Sequence, residues 1–176
     1  IKSELKLELK KQGIYSKRKW KGMKPPSNYN TYNRRGILYG FYLDKKQEGI
    51  LDVSKAIELN PGFYKAYINR ATLYGDIEKY EEALADFNTG MKIKPNQPIS
   101  HLNRGSLYSD LEEYDKAVAD YTKCLELSPL YVDEKKAYKW RSNAYIFLEQ
   151  YDHALKDLNK LIELEAESEY YRLERA

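Results

Sequence analysis

The chain has 176 residues, 42% of them hydrophobic and 32% charged, with a formal net charge of +3 and a single cysteine. Its longest apolar run is far below the ~20 residues that a helix needs to cross a bilayer, and Cys124 alone cannot close an internal disulfide. A helical membrane span and a disulfide-held scaffold are therefore excluded. What remains is a soluble helical protein, expected to be intracellular and cytoplasmic by default.

The first element is a basic arm. Residues 1–27 hold nine Lys/Arg against two Glu, a balance of +7; with +3 overall, the remainder carries −4. Such an arm can meet nucleic acid, anionic lipid or an acidic protein surface, and its plainer reading is a solvated linker. Residues 1–12 admit a short helix, although Leu5, Leu7 and Leu9 alternate as in a strand, and Pro25-Pro26-Ser27-Asn28 reads as the linker's end. The chain opens on Ile1, and residues 167–176 read as the start of a capping or further repeat helix, so both ends are read as those of a processed or partial chain.

From residue 28 the chain repeats itself. Pro61, Pro95 and Pro129 stand 34 residues apart, and a period of that size belongs to stacked supersecondary units. Tyr67, Ala71 and Tyr74 share one helical face, and Ala83, Phe87 and Met91 share the next. Gly75-Asp76 and Ser109-Asp110 break the pairs. Lys94-Pro95 and Ser128-Pro129 end second helices, because proline lacks a donor and clashes with the preceding turn. His101, Gly105, Tyr108, Tyr114, Ala117 and Tyr121 repeat the same register. In the next unit Arg141, Tyr145, Tyr151, Ala154 and Leu158 follow their counterparts by 37, which places a three-residue insertion near 130–136; Ala166 stands where the closing proline would be. In the first unit Arg35, Gly36 and Tyr39 precede their counterparts by 35, whereas Gly49, Val53 and Pro61 precede theirs by 34. One extra residue is thus expected in its turn, near 43–46. Small residues at Ala71, Gly105, Ser142, Ala83, Ala117 and Ala154 let helices approach closely, and Tyr39, Tyr74, Tyr108 and Tyr145 share one slot expected to be core.

This register resembles the tetratricopeptide repeat, with its aromatic, small residue and tyrosine on a first helix, its alanine and aromatic on a second, and its closing proline. The resemblance covers about 28–166 and implies an all-α, right-handed superhelical solenoid of about four helix-turn-helix units, at 28–61, 62–95, 96–129 and 130–166. It also implies a non-enzymatic scaffold, without cofactor, that binds a protein. The inventory of reactive groups agrees. His101 fills a packing slot held elsewhere by Tyr67 and Tyr138, His153 falls at an exposed position, and Cys124 takes a small core slot. No P-loop, dinucleotide fingerprint or metal-spaced cluster appears, so no catalytic or metal residue is assigned.

One slot departs from the family. An aliphatic residue is usual just before the small one; here stand Arg35, Arg70, Arg104 and Arg141, each with an aspartate later in its repeat: Asp52, Asp86, Asp120 and Asp157. Bordering apolar positions, these are expected to be partly buried and paired as a structural ladder between first and second helices.

In the family the first helices line the concave face. Carried over slot by slot, the groove takes Asn33, Arg34 and Ile37 from the first repeat, and Lys65, Ile68, Asn69 and Thr72 from the second. The third gives Ile99, Leu102, Asn103 and Ser106; the fourth gives Lys136, Lys139, Trp140 and Asn143. Asparagine amides both donate and accept, which suits a peptide backbone; Ile68, Ile99, Leu102 and Trp140 offer apolar anchors, and the lysines favour an acidic partner. Some members grip the acidic tails of heat-shock chaperones with a five-residue lysine, asparagine and arginine clamp. Asn69 matches one member, but Ile99 and Asn103 replace the next lysine and arginine; the other frame keeps Asn103 and Lys136 and puts Trp140 for the arginine, so that role is not implied. A partner that is a peptide or a neighbouring subunit is the leading expectation. The alternative is an RNA-associated repeat protein acting through the basic arm; no small-molecule substrate is expected.

Overall fold

The computed structural model describes residues 28–127 and 130–173. The basic arm, with its helix-or-strand alternatives, and Pro129 lie outside the described residues. Among the described residues the chain is all-α, without a strand: α1 (Tyr29–Ile37) running into a π-helical turn (Leu38–Tyr42), α2 (Lys46–Leu59), α3 (Tyr64–Gly75), α4 (Tyr80–Ile93), α5 (Pro98–Asp110), α6 (Tyr114–Glu126), α7 (Tyr131–Phe147) and α8 (Tyr151–Leu173). They fall into two units, divided between residues 79 and 80.

Local chemistry sets the helix ends. Asn28 caps α1 by accepting from the Thr31 amide at 2.9 Å. Pro98 opens α5, where its missing donor costs nothing. Each first helix is closed by a residue at positive φ: Asp44 (57°), Glu78 (61°), Glu112 (59°) and Glu149 (58°). The amide that follows reaches back to the slot tyrosine, as Lys79 to Tyr74 (2.9 Å), Glu113 to Tyr108 (2.9 Å) and Gln150 to Tyr145 (2.8 Å). This is the six-to-one bond that ends a helix through a left-handed residue.

The first repeat differs in an instructive way. Its closing bond runs from Lys45 to Tyr39 (2.8 Å), one residue longer than the others. Asp44 is in register with Glu78, so the extra residue lies upstream of the turn, not at 43–46. It is absorbed by the wide π turn, where the Leu43 amide reaches the Leu38 carbonyl at 3.1 Å.

Residues 167–173 correct a second expectation. They do not begin a new helix but continue α8 unbroken to Leu173. With Ala166 in the proline slot, nothing removes a donor or blocks the turn.

In the unit of α1–α3, α2 packs on both its neighbours around Val53, Ala56, Ala66 and Leu73. In the unit of α4–α8, α5–α6, α6–α7 and α7–α8 pack in succession around Leu102, Ala117, Tyr121, Cys124, Ala137 and Ala144. The slot tyrosines are half-buried rather than core. Three of the four arginines stand between two rings of their own helix, one turn either side: Arg35 between Tyr32 and Tyr39 (5.5 and 5.9 Å), Arg70 between Tyr67 and Tyr74 (5.9 and 5.7 Å), and Arg141 between Tyr138 and Tyr145 (5.7 and 5.8 Å). Cation–π attraction thus accounts for much of the tyrosine periodicity.

Candidate functional site

Two constellations occupy the first helices. One is polar and structural. Arg35 donates to Asp52 through Nε (2.5 Å) and Nη2 (2.7 Å), Arg104 to Asp120 (2.7 and 2.8 Å), and Arg141 to Asp157 (2.8 and 2.7 Å). These two-point, fork-to-carboxylate contacts fix both groups in plane. The third nitrogen reaches the second helix of the preceding repeat: Arg104 Nη1 to Asn88 Oδ1 (2.8 Å) and Arg141 Nη1 to Thr122 Oγ1 (2.8 Å); Arg70 Nη1 makes the same contact with Ser54 Oγ (2.9 Å). Arg70 and Asp86 belong to different units.

In the third repeat His101 replaces the flanking tyrosine. Its Nδ1 stands 3.0 Å from Asp120 Oδ1, and an ionised carboxylate only accepts, so the ring donates. Burial pushes the Asp120 carboxyl up, but the hydrogen bonds from Arg104 and His101 outweigh it and hold it below the usual aspartate range. Arg35 and Arg104 are raised, chiefly by their bonds to aspartate; for Arg141 the pull of Asp157 overcomes a larger opposing cost of burial. Burial pushes the Cys124 thiol up to about 12, leaving it far from its reactive thiolate form.

The second constellation is an open groove of about 330 Å³ in the unit of α4–α8. Ser106, Ser109 and Asp110 of α5, Tyr114 and Tyr121 of α6, and Trp140, Asn143, Ala144 and Phe147 of α7 line it. Phe147 is 66% exposed and stacks on Tyr114 with centroids 4.6 Å apart and planes 3° from parallel. At the floor the Tyr121 hydroxyl is 3.0 Å from Ser109 Oγ, and its ring is 6.1 Å from Trp140. Burial pushes the Tyr121 phenol up to about 12, so the floor is neutral.

Of the groove residues expected from sequence, Ser106, Trp140 and Asn143 come together here. Ile99, Lys136 and Lys139 are exposed on the same two helices, Asn103 is half-buried, and Lys136 lies 3.9 Å from Asp133. In the other unit Arg34 and Lys65 are exposed, while Asn69 and Thr72 are half-buried. Three residues cannot act as open anchors. Leu102 is 0% exposed because Ala137 and Trp140 of α7 close over it, and Ile68, in the equivalent slot, is 4% exposed. Asn33 is buried and its side-chain oxygen is taken by Asn69 Nδ2 at 2.9 Å. Sequence reading did not place Asp110 and Phe147 in the groove. Both were within its reach, since Asp110 lies four after Ser106 and Phe147 four after Asn143, on the same helix faces.

Three profiles described as tetratricopeptide repeat match residues 54–85, 98–131 and 136–168, together more than half of the chain. The chain belongs to the tetratricopeptide-repeat family. A comparison with curated proteins gives no match. Among solved structures this tetratricopeptide-repeat chain is similar to MamA, at 20% identity and a TM-score of 0.76 over 93% of this chain and 96% of that one. It is also similar to PilF of Pseudomonas aeruginosa (14%, 0.72, 77% and 60%). A third similar structure is the first TPR of Spaghetti (RPAP3) bound to the HSP90 peptide SRMEEVD (23%, 0.63, 73% and 99%). At these identities the likeness is one of fold. Among the described residues no helix is long and apolar enough to cross a membrane, and no group of His, Cys, Asp and Glu is placed to hold a metal.

Proposed function

We propose that this chain is a non-enzymatic scaffold that binds an extended segment of a protein partner along the first-helix face of α5 and α7. The aromatic groove walled by Trp140, Tyr114 and Phe147 carries this reading. Its rings give an apolar anchor a concave seat, and Ser106, Asn103 and Asn143 offer hydrogen bonds beside it. Lys136 and Lys139, two turns and one turn before Asn143, favour an acidic residue in the same partner segment. That a structurally similar repeat protein holds the acidic peptide SRMEEVD supports the class of ligand, although the clamp residues are not matched here. A reducing, intracellular setting suits the buried free Cys124.

The test is to select binders from an array of 12-residue peptides and measure one by fluorescence anisotropy. Trp140→Ala is expected to weaken binding by about 30-fold, the effect of losing a ~2 kcal/mol hot spot, and Asn103→Ala by less, with circular dichroism unchanged. If both variants bind like the parent while substitutions in the basic arm abolish binding, the arm is the working surface. A salt-dependent shift with single-stranded RNA would then favour the alternative, RNA-associated reading.

A further inference from the structure

In each repeat the chain sets a cation against the face of a tyrosine ring. Arg35, Arg70, Arg104 and Arg141 stand 5.7 to 5.9 Å from the rings of Tyr39, Tyr74, Tyr108 and Tyr145. Arg35, Arg104 and Arg141 are held there by an aspartate as well. The groove of α5–α7 has rings and a carboxylate but no cation of its own. Trp140, Tyr114 and Phe147 wall it, and among the described residues no cation stands over these three rings. No lysine or arginine lines the groove, and Asp110 is exposed at its edge. Asp110 has an interaction elsewhere, yet its charge reaches the floor: burial first, and then the Asp110 and Asp120 carboxylates, push the Tyr121 phenol up. Ring faces are the negative side of the aromatic quadrupole, so rings and carboxylate act with one sign. Such a seat favours a cation carried on an apolar stem.

We propose that the anchor taken by this groove is an arginine of the partner segment, its methylenes against Trp140 and Phe147 and its guanidinium over the rings on the Asp110 side. This rests on the reading of the groove as the seat of an extended partner segment. Arginine suits the groove better than lysine because its guanidinium is planar, weakly hydrated and stacks on aromatic faces. Ser106, Ser109 and Asn143 add acceptors for its donors. This chain's own arginines fit less well. The exposed Lys136 and Lys139 favour an acidic residue near the arginine. Arg18, the one arginine of residues 1–27, and the exposed Arg34 lie in a stretch without a carboxylate between Glu8 and Asp44. Arg35, Arg70, Arg104 and Arg141 are engaged within the stack, and Arg172 stands inside α8. The occupant is therefore assigned to a separate protein.

The probe is the tightest binder from the 12-residue array, labelled with fluorescein and titrated into the full chain by anisotropy. Each of its positions is replaced by alanine and measured against the parent and Trp140→Ala proteins; the residue whose loss couples to the loss of Trp140 is the anchor. It is expected to be arginine. Citrulline, its neutral isostere, should weaken binding at that position by about fivefold, the size of an exposed cation–π contact. Phe147→Leu keeps an apolar wall but removes the ring, and should weaken the arginine peptide more than the citrulline one, with circular dichroism unchanged. Arg18→Gln should leave the affinity as it is. A coupled residue other than arginine, or equal binding of the arginine and citrulline peptides, overturns this inference and leaves the partner-segment reading standing. Absence of any binder, or of any residue coupled to Trp140, overturns both. Tighter peptide binding by the Arg18→Gln chain, or self-association of the full chain in sedimentation that the peptide competes away, also overturns the inference, because the occupant would then be this chain itself.

Discussion

In α1 and α2 the helices meet backbone against backbone, whereas in α5 and α6 a tyrosine ring fills the crossing. A Cβ on Gly49 would stand 2.9 Å from the Gly36 carbonyl oxygen and 2.9 Å from the Gly40 nitrogen, atoms that cannot rotate away. A Cβ on Gly105 would instead meet the Tyr121 ring at 2.7 Å. Gly36, whose carbonyl faces Gly49, and Gly105 share one small-residue slot of the first helices, and that slot thus serves two ends. In the first pair it brings the helix axes together; in the third it admits an aromatic whose ring also floors the groove. A repeat family can therefore hold its stacking geometry while moving volume from the crossing to the working face.

The largest expected effect breaks the first crossing. Gly49→Leu should cost about 3 kcal/mol, the upper range for overpacking, read from the urea midpoint by circular dichroism. Gly105→Ala should cost only about 1 kcal/mol, because alanine's helix propensity returns about 1 kcal/mol against the displaced ring. Equal losses would show that the two crossings are built alike.

Next come the rungs. Arg35→Ala leaves the buried Asp52 without its guanidinium, and part-exposure of the pair reduces the cost to about 2 kcal/mol from the 3–5 of a fully buried one. Arg104→Ala should cost about 1 kcal/mol, since His101 still donates to Asp120. The reverse order in thermal or urea unfolding would show that His101 lends no support.

A smaller effect is pH-dependent. The Asp120 carboxyl lies below its unfolded value. Its contribution is therefore fully present above about pH 4, near the unfolded aspartate pKa, and is lost as the pH falls through the folded pKa. Unfolding free energies measured between pH 5 and 2 should fall less steeply for Asp120→Asn than for the parent. The smallest effect is Tyr108→Phe, expected within about 0.5 kcal/mol, because the half-buried ring is held between Arg104 (5.7 Å) and Lys116 (5.4 Å) by its face.

The helix pairs were readable because proline, tyrosine and small residues mark their slots through sterics that act locally. The pairs of Arg35 with Asp52, Arg104 with Asp120 and Arg141 with Asp157 were readable for the same reason: both slots recur in phase. The π turn was not, because one inserted residue has the same sequence signature in a helix as in the loop after it. The burial of Ile68 and Leu102 was not either, since an apolar residue on a first helix looks the same whether or not the next helix closes over it. The groove's outer wall needed Phe147 and Tyr114 to meet across two helices, a pairing that no single period contains.

The third nitrogen of Arg104 and of Arg141 has a consequence for how the stack comes apart. When α8 frays, Arg141 loses Asp157 but keeps Thr122, so α7 remains pinned to α6. When α6 then opens, Arg104 keeps Asn88 of α4 in the same way. The natural step of opening is one helix rather than one repeat. Amide hydrogen exchange should accordingly fall off in half-repeat stairs from the C-terminal side, with α8 the fastest, α7 slower and α5 slower again.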